Sequence, residues 1–371
     1  MLNSKPSASS LRRWLLPVLF MHLALSGCDP FHTEFEAVEP AQMYAASAQS
    51  LSEEVPGELV VMTWNIKFGG GRIDFFFDCH GDRVLMGKSE VVQNLEGLAA
   101  KINQVSPDIL VLNEVDVGSK RSAYVDMVQW LLDHTALNHG AYASQWKADF
   151  IPSDGLGRVD SGNAILSRWP LTGATRIALS LIGEQDALTQ HFYLKRNLLH
   201  AEVALPEAGA VRVLATHLSA YSSDGTKKTQ IDEVKSWMDT FVGAGEHVIL
   251  AGDLNAIPPG SWKLKGFADE ACPAEGPFDA GDFSAETDWL DALYADFSPA
   301  VTLDEYARNN LPHFTHTTDK EGFWNRKLDY LFTNGAFVDG SSLTHQASWS
   351  GGMPTMPLSD HAPMSVRWVV P

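Results

Sequence analysis

The stretch ILAGDLNAIPPG, residues 249–260, decides how the chain is read. Apolar residues, a glycine, and then Asp253 and Asn255 describe a buried strand that ends in an acid and an amide, and Pro258 and Pro259 keep the strand from continuing. A core strand gains nothing from that ending, because a buried carboxylate is costly until something pairs with it. Other strand-like runs end the same way. ELVVMTWNI closes near Asn65, DILVLNEV on Asn113 and Glu114, and VRVLATHL near His217. Asp329 lies within KLDYLF, and Asp360 and His361 lie within PLSDHAP, just ahead of the last strand, MSVRWVV. Singly, a strand-end His is an ordinary capped residue and GDLN an ordinary Asx turn. Together they set acids, amides and imidazoles at the ends of several apolar strands, which is the pattern of a site.

Around these strands the chain alternates with helices. SEVVQNLEGLAAKINQV puts Val91, Val92, Leu95, Leu98 and Ile102 on one helical stripe, with Ser89 as its expected cap and Pro107 as its stop. YVDMVQWLLDHT and KKTQIDEVKSWMDTFV read as two more helices, and GNAILSRWPL and LLHAEVAL as further strands. No repeat and no Pro/Gly-rich linker divides residues 58–371, so the expectation is one α/β domain of sheets covered by helices. One connection is too long for a tight turn: KFGGGRIDFFFDCHGDRVLMGK, between the first strand and the first helix. Its three consecutive Phe residues predict a packed loop.

Of the 371 residues, 45% are hydrophobic and 20% charged, enough for a large core. The net charge is −19, with the acids spread along the chain. The basic footprint of a non-specific nucleic-acid binder is missing, although a divalent cation can bridge an acidic site to a phosphate. Lys5, Arg12 and Arg13 precede the apolar run WLLPVLFMHLAL, which is short for a membrane span and reads as an export signal over residues 1–27. Residues 28–57, rich in Ala, Ser, Glu and Gln, read as a flexible tether. Cys79 and Cys272 lie in loop-like sequence; in an exported protein they are either a disulfide pair or two unrelated thiols.

Two resemblances extend this reading. LSGC, residues 25–28, resembles a bacterial lipobox, which implies cleavage before Cys28, a lipid on its thiol, and anchoring at a membrane on the periplasmic or cell-surface face. The alternative is a plain secretory signal. The ordered motifs TWNI, LNEVD, SGNAILSR, THLS, GDLNAIP, KLDYLF and SDHAPM resemble the endonuclease/exonuclease/phosphatase superfamily over residues 58–371. That resemblance implies a four-layer α/β/β/α sandwich of DNase I type and a Mg²⁺-dependent phosphoesterase, with Mn²⁺ or Ca²⁺ as alternatives, acting as a monomer. It implies that Asn65, Glu114, Asp253, Asn255 and Asp360 serve the metal. It gives catalytic roles to His217, Asp253, Asn255, Asp329 and His361, with Asp329 steadying His217 and Asp360 orienting His361. Either Asp253 or His361 would be the base. Asn163, Arg196 and Arg72 are the expected substrate contacts, Asn163 with the alternative of a turn before a strand.

LNEV carries Asn where many nucleases of the group carry Gln, at a residue expected to support Glu114 rather than bind. The substrate stays open among nucleic acid, a phospholipid headgroup as in sphingomyelinases, and a small phosphate. A binding lipoprotein that had lost activity would lack some of these positions, and all are present.

Overall fold

The computed structural model describes residues 35–49, 54–78, 81–151, 153–220, 224–267, 281–319, 322–346 and 354–371. The signal segment, Cys28, Cys79 and Cys272 lie outside these residues. Two seven-stranded mixed sheets pack face to face. One runs β1 (Val38–Pro40), β7 (Leu171–Ala178), β8 (Asn197–Leu205), β9 (Gly209–His217), β10 (Val248–Asp253), β12 (Asp329–Thr333) and β11 (Ser298–Pro299). The other runs β13 (Leu343–Thr344), β14 (Met364–Val369), β3 (Glu58–Asn65), β4 (Ile109–Asp116), β6 (Gly157–Ser167), β5 (His139–Ile151) and β2 (Gln42–Ala45).

The inner faces share one core that includes Leu59, Val61, Val111, Ile165, Val213, Ala215, Ile249, Ala251 and Leu331. The outer face of the second sheet is covered by α1 (Lys88–Val105) and α2 (Met127–His134), through Leu95, Leu98, Ile102, Val128 and Leu131. The outer face of the first is covered by α4 (Thr226–Gly243), through Ile231, Val234 and Met238. Three short helices complete the set: α3 (Ala187–Phe192), α5 (Asp291–Asp296) and α6 (Leu303–Arg308). This is the expected four-layer sandwich. Among the described residues no helix is long and apolar enough to cross a membrane.

Two details depart from the sequence reading. The expected tether, residues 28–57, is built into the fold in part: β1 pairs with β7 in one sheet and β2 pairs with β5 in the other, so residues 38–45 clasp the same end of both sheets. Ser89 does not cap α1; the cap is Gly87, two residues earlier, and the Glu90 carboxylate accepts the Gly87 N–H at 2.8 Å. SGNAILS lies within β6, as the strand reading of GNAILSRWPL expects, and not in the alternative turn before a strand. The long connection after β3 packs as its Phe run predicts, with Phe75 buried and its ring 4.8 Å from that of Phe68.

Behind the site, Arg121 forks onto Asp116, with Nε to Oδ2 at 2.9 Å and Nη2 to Oδ1 at 2.8 Å, and its guanidinium lies 3.7 Å over the Phe68 ring. Both partners are buried. Arg121→Met leaves the Asp116 carboxylate with only the Ser122 hydroxyl among these donors. It is expected to cost about 3–5 kcal/mol in a denaturant titration. A loss below about 1 kcal/mol would show that the pair carries little of the stability.

Candidate active site

The inner-face stripes of five strands turn from apolar to polar at the same end of the sandwich. Leu59 and Val61 lead to Asn65 on β3, Ile109 and Val111 to Asn113 on β4, Val213 and Ala215 to His217 on β9, and Ile249 and Ala251 to Asp253 on β10. Leu331 leads back to Asp329 at the start of β12. Pairing register does the positioning. Asp253 stands opposite His217 on one side and Asp329 on the other, and Asn65 stands opposite Asn113. Gly252 has no alternative here: its φ is +142°, and a Cβ would come within 2.0 Å of the Thr216 carbonyl. The glycine before Asp253 is thus what lets β9 and β10 lie close enough to bring His217 to the acid.

Asn113 fixes the floor. It donates from Nδ2 to Asn163 Oδ1 at 2.8 Å and to the Thr216 carbonyl at 3.0 Å, and its Oδ1 accepts the Asp253 N–H at 3.0 Å. One fully buried amide therefore ties three strands to the catalytic Asp candidate. Glu114 follows in a β-bulge at φ +55°, which frees its side chain from the strand alternation. Asn65 Nδ2 donates to Glu114 Oε1 at 3.1 Å and to Asp253 Oδ2 at 3.2 Å. Asn255, at φ +50°, donates its N–H to Asp253 Oδ1 at 2.9 Å and its Nδ2 to the Leu218 carbonyl.

The imidazoles pair differently from the expectation. Asp329 Oδ2 lies 2.7 Å from His361 Nδ1, so Asp329 orients His361 and not His217. His217 Nδ1 is instead met by the Gln145 amide at 3.3 Å, and Gln145 Oε1 accepts from Arg196 at 3.2 Å. Asp360 does not orient His361; it is 3.7 Å from Lys67 Nζ and accepts from the Ser359 hydroxyl. The reason is register. Asp329 sits at the β12 end that faces the segment before β14, while β10 stands between β12 and β9.

Asp253 Oδ2 is shared, with His361 Nε2 and His217 Nε2 each at 3.5 Å. Burial pushes the Asp253 carboxyl up to about 7, against the pull of His361. Burial opposes charge on His361, yet Asp329 and Asp253 outweigh it and raise its pKa to about 10. Burial, with Arg196 and His361, drives His217 well below the ordinary value, so it is neutral. A neutral His217 whose Nδ1 accepts from Gln145 presents an Nε2–H donor.

The three expected substrate contacts separate. Asn163 is buried with its amide bonded to Asn113 and Asn197, so it reaches the site through Asn113. Arg196 stands behind His217 through Gln145. Arg72 donates to the carbonyls of Thr317 and Ser359, packing the inserted loop against the segment that carries Asp360.

Lys67 and His316 were not anticipated. His316 is buried, its ring 4.4 Å from that of His361. FTHTT offers no periodicity that would set His316 apart, and it reaches the site by bridging to both Arg326 and His361.

The donor set suits a hard divalent cation. Glu114, Asp253 and Asp360 are carboxylates, and the Asn65 amide donates to two of them while its Oδ1 accepts the Lys67 N–H at 3.1 Å. Burial and the Asp360 charge raise the Glu114 carboxyl, and a cation between the two acids would relieve that repulsion. Asp329 Oδ1 is buried without a hydrogen-bond partner among the described residues, and Asp253, Asp329 and His361 lie close enough to share an ion.

A two-sheet sandwich with this cluster at one end is the build of a phosphoesterase-type hydrolase. A model of the Endonuclease/Exonuclease/phosphatase family matches residues 62–361, and the chain belongs to that family. Among solved structures it is similar to an endonuclease/exonuclease/phosphatase from Beutenbergia cavernae, at 22% identity and TM-score 0.54, covering 85% of this chain and 72% of that one. It is also similar to the human Nocturnin catalytic domain with bound sulfate, at 17% identity and TM-score 0.50, covering 88% and 97%. A Bacteroides vulgatus endonuclease/exonuclease/phosphatase shares 12% identity at TM-score 0.51 over 85% and 99%. A search of curated proteins finds no match.

Proposed function

We propose that this chain is an exported, membrane-anchored phosphodiesterase that depends on a divalent cation, most simply Mg²⁺. The observation that carries the reading is the convergence of Asn65, Glu114, His217, Asp253, Asn255, Asp329 and His361 at one end of the sandwich. When bound by Asn65 and Glu114, the cation would neutralise charge on the phosphoryl oxygens.

The chain's own groups account for the rest. Asp253, raised to about 7, takes the proton from the attacking water, and the Asn255 side chain holds that water in line. His217 donates its Nε2–H to a non-bridging oxygen. His361, charged and held by Asp329, stabilises the negative charge that develops in the transition state. The anchor would be the lipid on Cys28, and the mature enzyme would work as a monomer at a membrane face.

A panel of duplex DNA, RNA, sphingomyelin, phosphatidylcholine, inositol phosphates and p-nitrophenyl phosphate tests the substrate class. The expected result is turnover of a diester in preference to every monoester. Turnover confined to inositol phosphates or p-nitrophenyl phosphate would make the protein a small-molecule phosphatase instead. The acidic surface of the chain disfavours duplex DNA among the diesters. Cys28→Ser is expected to move the protein from the membrane to the soluble fraction of producing cells; unchanged fractionation would remove the lipid anchor from the reading.

A further inference from the structure

The inserted loop after β3 opens with three successive residues in the left-handed region: Lys67 at φ +44°, Phe68 at +42° and Gly69 at +66°. Only the last is a glycine, so the surrounding packing holds a conformation that the first two side chains disfavour. The consequence is local. The turn sends the Lys67 ammonium back into the acid cluster, where the residue is 7% exposed. Its Nζ lies 3.0 Å from Asp78 Oδ2, 3.4 Å from the Ile73 carbonyl and 3.7 Å from Asp360 Oδ2. Asp78 belongs to the same loop and is fixed by the Phe75 N–H at 2.9 Å. Arg72, also from the loop, donates to the carbonyl of Ser359, next to Asp360. The loop thus brings the Lys67 ammonium to the Asp360 carboxylate and ties the neighbouring backbone down through Arg72. Glu114 differs: among the described residues its carboxylate accepts one side-chain hydrogen bond, from Asn65.

From this contrast we infer that Lys67 is a positioning residue that holds Asp360 out of the metal set, leaving Asn65 and Glu114 to bind a single divalent cation. An ammonium and a divalent ion compete for the same carboxylate oxygens, and the ammonium here is enclosed and tied to the loop by Asp78. Lys67 also sets the affinity of the Asn65–Glu114 position, because its charge opposes a second cation nearby. The inserted loop is then a device for fixing the number and affinity of metal ions. The inference rests on the metal-dependent reading of the site.

Calorimetric titration of Mn²⁺ into the full chain tests it. Wild type is expected to bind one ion. Lys67→Met is expected to bind Mn²⁺ about tenfold more tightly, and Lys67→Arg to stay within about threefold of wild type. The charge-balanced pair Lys67→Met with Asp360→Asn is expected to return to within about threefold of wild type. Two ions on wild type, an unchanged affinity in a folded Lys67→Met, or loss of Mn²⁺ by the balanced pair would each overturn the inference. The last would make Asp360 a ligand. Should Lys67→Met fail to fold, the balanced pair and Lys67→Arg decide the question. A wild-type chain that binds no divalent ion would instead overturn the functional reading itself.

Discussion

Asp253→Asn is expected to lower kcat/KM on a phosphodiester by about 10³-fold or more while leaving the unfolding midpoint unchanged or higher. The two halves of this expectation have one cause. Asp253 is buried at the end of β10 beside Asp329, and burial with the Asp329 charge outweighs the pull of His361 and lifts its carboxyl to about 7. An ionised carboxylate there is a cost to the fold, offset in part by His361. The amide keeps an oxygen for the Asn255 N–H, which now bonds to Oδ1; its NH2 replaces the oxygen that accepts from Asn65, and removal of the buried charge offsets that lost bond. It also gives up the only group among Asp253, His217 and His361 that combines a proton-accepting oxygen with a pKa near neutrality. Stability and activity therefore separate. Thermal unfolding and steady-state kinetics on one preparation check both. A midpoint that falls along with activity would assign Asp253 to the framework, and unaltered kinetics would remove it from the mechanism.

Asp329→Asn and His361→Gln are each expected to cost about 10²-fold in kcat/KM, and the double variant to cost little more than His361→Gln alone. The 2.7 Å contact between Asp329 Oδ2 and His361 Nδ1 makes the two one unit. The carboxylate holds the ring and keeps it charged, and once the ring is gone the carboxylate has nothing to orient. His217 is steadied separately by Gln145, so Asp329→Asn combined with His217→Gln should give close to the product of the single losses. The opposite pattern, with Asp329 coupled to His217 and independent of His361, would restore the pairing that the sequence motifs suggest. The cycle measures the pair term directly, whatever the absolute rates.

Much of this was legible in residues 249–260 and their counterparts. Apolar runs that end in Asn65, Glu114, His217 and Asp253 announce both the inner faces of two sheets and the end at which they meet, because a buried strand tolerates such an ending only where partners collect. The partners themselves were not legible. Which acid meets which imidazole depends on strand order, and nothing local in KLDYLF says that Asp329 will face His361 across the sheets. Asn113 reads as a neighbour of Glu114, whereas its three hydrogen bonds come from residues 50 to 140 positions away. Strands β1 and β2 were missed because each is short, lies at a sheet edge and is largely exposed, so neither carries an apolar alternation. Lys67 was missed because a lysine in a Gly-rich loop looks solvated, and only the left-handed turn beginning at its own φ sends it inward.

If the strand ends gathered around Asp253 form a metal-dependent phosphoesterase centre, the chain must hydrolyse a simple diester only while a divalent cation is bound. Hydrolysis of bis-p-nitrophenyl phosphate by the purified chain shows this directly, measured as prepared, after EDTA, and after Mg²⁺ is returned in excess. The expected outcome is turnover that EDTA abolishes and Mg²⁺ restores. Turnover that EDTA leaves untouched would contradict a metal-dependent centre, as would no turnover with Mg²⁺, Mn²⁺ or Ca²⁺.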